Sequence, residues 1–154
     1  MGVKVVATNR KARHEYFILE TYEAGIALQG SEIKSVRAGQ ISLAEAFVRV
    51  DGHQAWLEDA HIAPYEQASR YNHDPRRPRK LLLHRSEIDR LRARVDQERL
   101  TLVPLTLYFK DGRAKLEVGL GKGRTSVDKR QVIAKRDADL EAKRAMSRAR
   151  RAVD

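Results

Sequence analysis

The side chains most able to do chemistry in this sequence do not form a catalytic or metal-binding pattern. The five histidines, at positions 14, 53, 61, 73 and 84, lack the three- or four-residue spacing of metal ligands on a helix. The chain has no cysteine, which excludes disulfide bonds and cysteine-ligated metals. Glu23 and Glu32 could form a carboxylate pair, but no nucleophile accompanies them. We therefore predict no catalytic residues, no metal and no cofactor.

A glycine-rich stretch, residues 119–126, invites comparison with nucleotide-binding loops. Gly121-Lys122 is followed by Gly123 rather than by serine or threonine, so the P-loop pattern is missing. Glycines at 119, 121 and 123 also lack the GxGxxG spacing. We interpret the stretch as a flexible exit from the last strand into the C-terminal segment.

Charge is the stronger signal. The chain carries 31 Lys+Arg against 21 Asp+Glu, a formal net charge of +10, and residues 122–154 hold +6 of it. Such a balance favours a polyanionic partner. Two further basic clusters lie in the body, Arg10-Lys11-Ala12-Arg13 and residues 70–80, where Arg79 and Lys80 end a run containing Tyr71 and His73. Cations interleaved with planar side chains suit RNA, although each cluster alone could be a solvated loop.

Short strands and two helices must position these residues. Strand patterns with hairpin turns at Asp51-Gly52 and Asp111-Gly112 predict pairs at 46–50 with 54–58 and at 105–109 with 114–120. Residues 16–20 predict another strand, with a turn at 23–25 and a return strand from Ile26. Helices are predicted from Ser31 to Gly39 and from Ser86, and residues 63–79 form a loop. We predict a mainly β fold (β+α): about six antiparallel strands in an OB-like closed barrel over residues 1–121, with flanking short helices.

The segment 122–154 forms a basic C-terminal tail. It is rich in good helix formers, but its apolar residues are too sparse to bury a face. We predict a tail that is disordered alone and helical when a partner supplies a surface. No apolar run approaches the roughly 18 residues of a membrane span, and the N-terminus lacks a signal-peptide pattern. A soluble, cytoplasmic, monomeric protein without a membrane partner is therefore expected.

Several ordered strings carry a resemblance to a known family. They are residues 9–18 (NRKARHEYFI), 22–26 (YEAGI), 30–39 (GSEIKSVRAG), 72–83 (NHDPRRPRKLLL), 102–105 (LVPL) and 128–130 (DKR). The chain resembles the SmpB family, the SsrA-binding proteins of bacteria. The resemblance implies an OB-like barrel that binds the tRNA-like domain of transfer-messenger RNA in trans-translation, the rescue of stalled ribosomes. It also implies a tail that becomes helical in the small-subunit decoding region and the mRNA channel, and no enzymatic activity.

The resemblance also implies which residues face RNA. Carried over position by position, and with Arg79 and Lys80 added from the basic run, the predicted RNA-binding residues are Asn9, Arg10, Lys11, Arg13, Glu23, Lys34, Ser35, Arg79, Lys80, Leu82 and Lys115. The predicted ribosome-binding tail residues are Asp128, Lys129, Arg130, Lys135 and Arg136. One position departs from the family, which often carries an aromatic residue or histidine where this chain has Val127.

Two other functions fit the composition. A ribosomal or ribosome-assembly protein that binds rRNA would share the charge, the barrel and the tail. A nuclease could use Glu23, Glu32 or His73. Capture of cellular RNA distinguishes the rRNA-binding protein from a protein that binds transfer-messenger RNA. An RNA cleavage assay with Mg²⁺ distinguishes the nuclease from a protein that only binds RNA.

Overall fold

A computed structural model describes the backbone of residues 2–124 and 126–153, and their side chains except those of 69–71, 126–133 and 149–153. The chain divides into two compact units, Met1–Gly123 and Arg124–Asp154. The helices are α1 (Arg10–Glu15), α2 (Gly30–Arg37), α3 (Arg85–Glu98) and α4 (Ser126–Val153), with a 3₁₀ turn at Glu66–Tyr71. The strands are β1 (Val3–Thr8), β2 (Tyr16–Ile26), β3 (Ile41–Ser42), β4 (Phe47–Asp51), β5 (Gln54–Glu58), β6 (His61–Ile62), β7 (Arg79–Leu82), β8 (Thr101–Lys110) and β9 (Arg113–Gly123).

Seven strands form one antiparallel sheet in the order β1-β8-β9-β2-β7-β5-β4, and β3 pairs with β6 in a small ladder. The mainly antiparallel β fold with a few helices is as predicted. The closed barrel is not confirmed: among the described residues, no hydrogen-bonded ladder joins the edge strands β1 and β4. The sheet has seven strands and not about six, because β1 and β7 form along segments to which no strand was assigned. The return strand predicted from Ile26 does not form, since residue 26 ends β2.

Buried and exposed residues alternate along the strands, so the sheet has a core face and an outer face. Leu116, Val118 and Leu120 on β9 are fully buried, with partly exposed residues between them in the first half of the strand. This two-residue period follows from the pleat of the strand. The hairpin before β9 turns at Asp111 and Gly112, whose φ angles of 51° and 79° match a tight type I′ turn. Both hairpins predicted from Asp-Gly pairs are present.

Strand β2 corrects the prediction of a turn at residues 23–25. It continues without interruption to Ile26, paired with β9 from Tyr16 to Gly25. Gly25 marks a close contact instead of a turn, since a Cβ placed there would lie 3.1 Å from the Cβ of Leu82. The sequence pattern misled because glycine is permitted both in turns and where side chains need the space.

The glycines of the glycine-rich stretch, at 119, 121 and 123, likewise belong to β9 and do not form a flexible exit. A Cβ on Gly119 would lie 2.7 Å from Cδ1 of Leu105, and one on Gly121 would lie 3.0 Å from Cβ of Tyr16. Both positions are buried. These glycines therefore admit neighbouring side chains into the sheet, and they do not cradle a phosphate.

The second unit contains the helix α4. Its residues 134–148 are exposed, as expected from the scarcity of apolar residues. The prediction that this helix needs a partner to form stays a prediction. No helix of the described ranges has the length and apolar character needed to cross a membrane.

Candidate nucleic-acid interface

One row of cross-strand partners runs over the outer face of the sheet. It passes from Leu82 on β7 to Gly25, Lys115, Tyr108 and Val5 on the four strands beyond it. Partners in register point to the same side of a sheet. Leu82 and Val5 are each 56% exposed, although both are apolar. The row therefore offers an apolar surface with a lysine at its centre.

A carboxylate adjoins this row. Glu23 lies two residues before Gly25 on β2, and its cross-strand partner on β9 is Glu117. Oε2 of Glu23 accepts a 2.5 Å hydrogen bond from the hydroxyl of Tyr108. The ammonium of Lys110 lies 3.5 Å from the same oxygen. The hydrogen bond from Tyr108, followed by the positive charge of Lys110, holds the pKa of Glu23 below its usual value. Glu23 is therefore an ionised acceptor, held in one orientation through a single oxygen.

Helix α1 brings basic residues to the same region. Arg10 and Lys11 are exposed, and Arg13 donates a 3.0 Å hydrogen bond to Oε1 of Glu117, the cross-strand partner of Glu23. The helix is anchored by Asn9, whose Oδ1 accepts from the backbone N–H of Ala12. The N-terminal cluster predicted from sequence thus lies beside the outer face.

The alternation of side chains along β7 places the members of the central basic cluster on opposite faces of the sheet. On β7, Lys80 and Leu82 are exposed whereas Arg79 and Leu81 are buried. Lys80 is the partner of Trp56, so it stands on the outer face next to Leu82. Lys34 is exposed on α2, with its ammonium 5.5 Å from the ring centroid of Tyr65.

Three predicted RNA-binding residues have their side chains inside the protein. Asn9 donates from Nδ2 to the carbonyls of Leu43 and Pro104, at 3.2 and 2.9 Å. The hydroxyl of Ser35 donates to the carbonyl of Ala63 at 2.7 Å, and Ser35 and Arg79 are fully buried. The strings that resemble the family contain buried and surface residues alike. Only the burial seen in the structure distinguishes the residues that can contact RNA from those that cannot.

Arg79 belongs to a buried ion-pair network that sequence reasoning missed. Its guanidinium lies 2.6 Å from Oε2 of Glu32, and Arg77 lies 2.5 Å from Oε1. Burial raises the pKa of Glu32, but hydrogen bonds from the backbone of Gln29 and from both arginines outweigh burial, so the pKa is lowered. Arg79 also donates 2.6 Å to the carbonyl of Ala60. The network ties α2 to the segment before β7.

His73 is another internal group. Its Nε2 lies 2.9 Å from the carbonyl of Ile62, and its Nδ1 lies 2.8 Å from the hydroxyl of Ser31. A neutral imidazole with its proton on Nε2 satisfies both contacts, because Ser31 then donates to Nδ1. His73 and Glu32 are thus both engaged inside the protein, and neither is placed as the base of a nuclease. No cluster of three or more metal-ligating side chains occurs in the part of the chain that the structure describes.

The predicted tail residues lie in α4. Lys135 and Arg136 are exposed, whereas the side chains of Asp128, Lys129, Arg130 and of Val127 lie outside the described residues.

Comparison with known proteins gives one consistent result. The family model described as SmpB protein matches residues 6–148. The SsrA-binding protein of Chloroflexus aurantiacus (strain ATCC 29366 / DSM 635 / J-10-fl) is 60% identical over 147 residues, covering 95% of this chain and 92% of the relative. That of Desulforudis audaxviator (strain MP104C) is 57% identical, with 92% and 93% covered. A solved structure described as "tmRNA-SmpB: a journey to the center of the bacterial ribosome" contains a chain 49% identical, with a TM-score of 0.67 over 84% of this chain and 94% of that one.

Proposed function

Because the chain belongs to the SmpB protein family, we propose that it binds transfer-messenger RNA and delivers it to stalled ribosomes for trans-translation. It acts as a binding protein without catalysis. The names of its relatives support this proposal, since they are SsrA-binding proteins. The description of the similar solved structure links transfer-messenger RNA, SmpB and the ribosome.

The outer face is the observation that carries the proposal. Glu23, Leu82 and Lys115 come from three different strands, yet the sheet brings them to one exposed surface, with Lys80 and Arg13 beside them. We propose that this surface binds the tRNA-like domain of the RNA. The lysines and arginines neutralise phosphates, while the ionised Glu23 accepts a hydrogen bond from a base amino group or a ribose hydroxyl.

The three buried residues support this surface indirectly in our proposal. Asn9 caps the helix that carries Arg10 and Lys11. Ser35 ties α2, and with it Lys34, to the chain at Ala63. Arg79 holds the first residue of β7 in the core, which leaves Lys80 and Leu82 on the outer side. We assign all three as positioning residues.

For the tail, we propose a separate role on the ribosome. Of the predicted tail, Lys122 and Gly123 belong to β9. Residues 124–154 enter the decoding region and the mRNA channel as a helix, disordered before they bind, with Asp128, Lys129, Arg130, Lys135 and Arg136 contacting the ribosome. The exposure of residues 134–148 supports a helix whose surface is free for such a partner. Val127 lacks a ring, so any stacking on rRNA must come from another residue.

The sheet itself supports an OB-like barrel closed by side chains. A cavity is lined by residues of β4, α3 and β8, so β4 faces β8 across it. Val48 of β4 and Leu102 of β8 belong to the same buried core cluster. We propose that this packing completes the barrel without a hydrogen-bonded ladder, and that the protein works as a cytoplasmic monomer.

RNA capture from bacterial cells with the full-length protein tests the function. Transfer-messenger RNA should be the dominant RNA recovered, and recovery of rRNA without it would favour a ribosomal or assembly protein. Lys115→Ala should reduce recovery. Lys143→Ala, an exposed tail substitution with the same loss of charge, should leave recovery unchanged.

A truncation tests the division of roles. Deleting residues 129–154 should spare binding of the isolated RNA and abolish ribosome rescue in a reconstituted translation system. Loss of RNA binding in the truncated protein would show that the tail also recognises the RNA.

A further inference from the structure

A cavity of about 360 Å³ lies at the end of β2 and is lined also by residues of the neighbouring strands β7 and β9. We call it the β2-end cavity. Its apolar lining comes from the last residue of β2, from the connection to α2, from α2 itself and from β8: Ile26, Leu28, Ile33 and Phe109. Phe109 and Leu28 are partly exposed and pack against the core, so the cavity has a firm apolar wall.

The mouth of this cavity is basic. Arg37, Arg113 and Lys115 all line it, and the guanidinium of Arg37 lies 5.7 Å from the ring centroid of Phe109. No salt bridge to these three cations occurs among the described side chains. Leu82 stands at the same mouth, held against Gly25, where a Cβ would meet it at 3.1 Å. The cavity therefore adjoins the outer-face row that ends at Leu82.

We propose that the β2-end cavity receives one unstacked nucleotide of the bound RNA. This inference rests on the proposed function and adds a subsite to it. The base lies in the apolar cavity against Phe109 and Ile33, and the flanking phosphates contact Arg113 and Lys115. Three cations around an apolar opening match the two parts of a nucleotide, whose base is flat and whose backbone is anionic. An uncharged apolar peptide would leave Arg37 and Arg113 without a counter-charge, whereas the charge of Lys115 already acts on Glu23.

Ultraviolet cross-linking tests the proposal on the unmodified full-length protein. The complex with the tRNA-like domain of transfer-messenger RNA is irradiated, and cross-linked peptides are identified by mass spectrometry. Direct cross-links form only where a base touches a side chain, so a nucleotide on Phe109 is the expected result. Phe47 on the edge strand β4 is the control, because it is 42% exposed and lies outside the cavity. Cross-links at Phe47 and none at Phe109 would overturn the proposal.

Two variants test the contacts to the base and the contacts to the phosphates separately. Ala114 lines the cavity opposite Phe109 in the β8–β9 ladder, so Ala114→Leu fills it. We expect affinity to fall about tenfold, as for loss of one stacked base, with the salt dependence unchanged. Arg113→Ala should instead make the slope of log affinity against log salt shallower by about one unit or less. Thermal unfolding confirms that both variants fold.

The outcomes distinguish this subsite from the function it depends on. If the unmodified protein does not bind the RNA, the proposed function and the subsite both fail. If it binds and a folded Ala114→Leu variant binds equally tightly, the subsite alone is refuted. Competition by a short acidic peptide that protects Phe109 would assign the cavity to a protein partner and would also refute the proposal.

Discussion

Glu32→Gln should cause a large loss of stability, because the change leaves a buried charge without its partner. Glu32 and Arg79 are both fully buried, and Arg79 keeps its positive charge after the substitution. Glutamine has nearly the same size as glutamate, so no cavity forms. The neutral amide keeps only one acceptor oxygen in place of two, and its N–H groups then lie among the guanidinium donors of Arg77 and Arg79.

The expected cost follows from what remains around Arg79. Its contacts to the carbonyls of Ala60 and Pro75, at 2.6 and 3.1 Å, persist and offset part of the loss. Removing one partner of a buried ion pair costs about 3–5 kcal/mol. We expect the lower half of that range, near 3 kcal/mol, because these carbonyls remain. A domain of this size then melts roughly 10 °C lower.

Urea unfolding of Glu32→Gln and of the unmodified protein measures this cost. The control variant is Glu45→Gln, the same substitution at a side chain that is 69% exposed and 3.7 Å from Lys11. Surface ion pairs contribute about 1 kcal/mol or less. Equal losses in the two variants would refute the reasoning, since burial is the feature that distinguishes them.

The pH dependence supplies a second readout. The folded-state pKa of Glu32 is lowered, so its contribution is present above the pKa of the unfolded chain and is lost as the pH falls through the folded value. The stability difference between the unmodified protein and Glu32→Gln should therefore be constant at neutral pH and shrink in acid. A difference that grows on acidification contradicts the assigned charge state.

Three further predictions concern the interface and the sheet. Tyr108→Phe removes the donor that orients Glu23, and RNA affinity measured by fluorescence anisotropy should fall roughly tenfold or less; unchanged affinity would contradict the positioning role. Arg10→Ala should make the salt slope of RNA binding shallower by about one unit or less, and an identical slope would remove it from the phosphate contacts. Gly119→Val should lower the free energy of unfolding by roughly 1–3 kcal/mol, whereas Gly123→Val, with nothing within 4 Å of its Cβ, should cost less.

Local signals predicted both hairpins and the helices α2 and α3, whereas the short helix α1 was not predicted. Asp-Gly pairs stand at both predicted turns, where Gly52 and Gly112 adopt positive φ angles. Ile88 and Leu91 are three positions apart in the helix predicted from Ser86, and both are buried on one side of α3. These features depend on neighbours in sequence, so the sequence pattern contains the information.

Contacts between distant segments were not predictable in the same way. Gly25 suggested a turn because the side chain of Leu82, which needs its space, is 57 positions away along the chain. The position of Glu32 in the first turn of its helix is readable from sequence, and its carboxylate accepts a hydrogen bond from the backbone N–H of Gln29. Its ion pairs with Arg77 and Arg79 depend on the fold alone.

The sequence by itself determined the basic character of the protein, its strand and helix periods, its hairpin turns and, through ordered strings, its family. Burial could not be determined in that way, because Arg79 and Lys80 are adjacent cations in the sequence. Tertiary structure decided between them: the pleat of β7 sends Arg79 into the core to meet Glu32, and Lys80 to the outer face. It also decided that Glu23, Leu82 and Lys115 share a surface, since strand register sets which distant residues become neighbours.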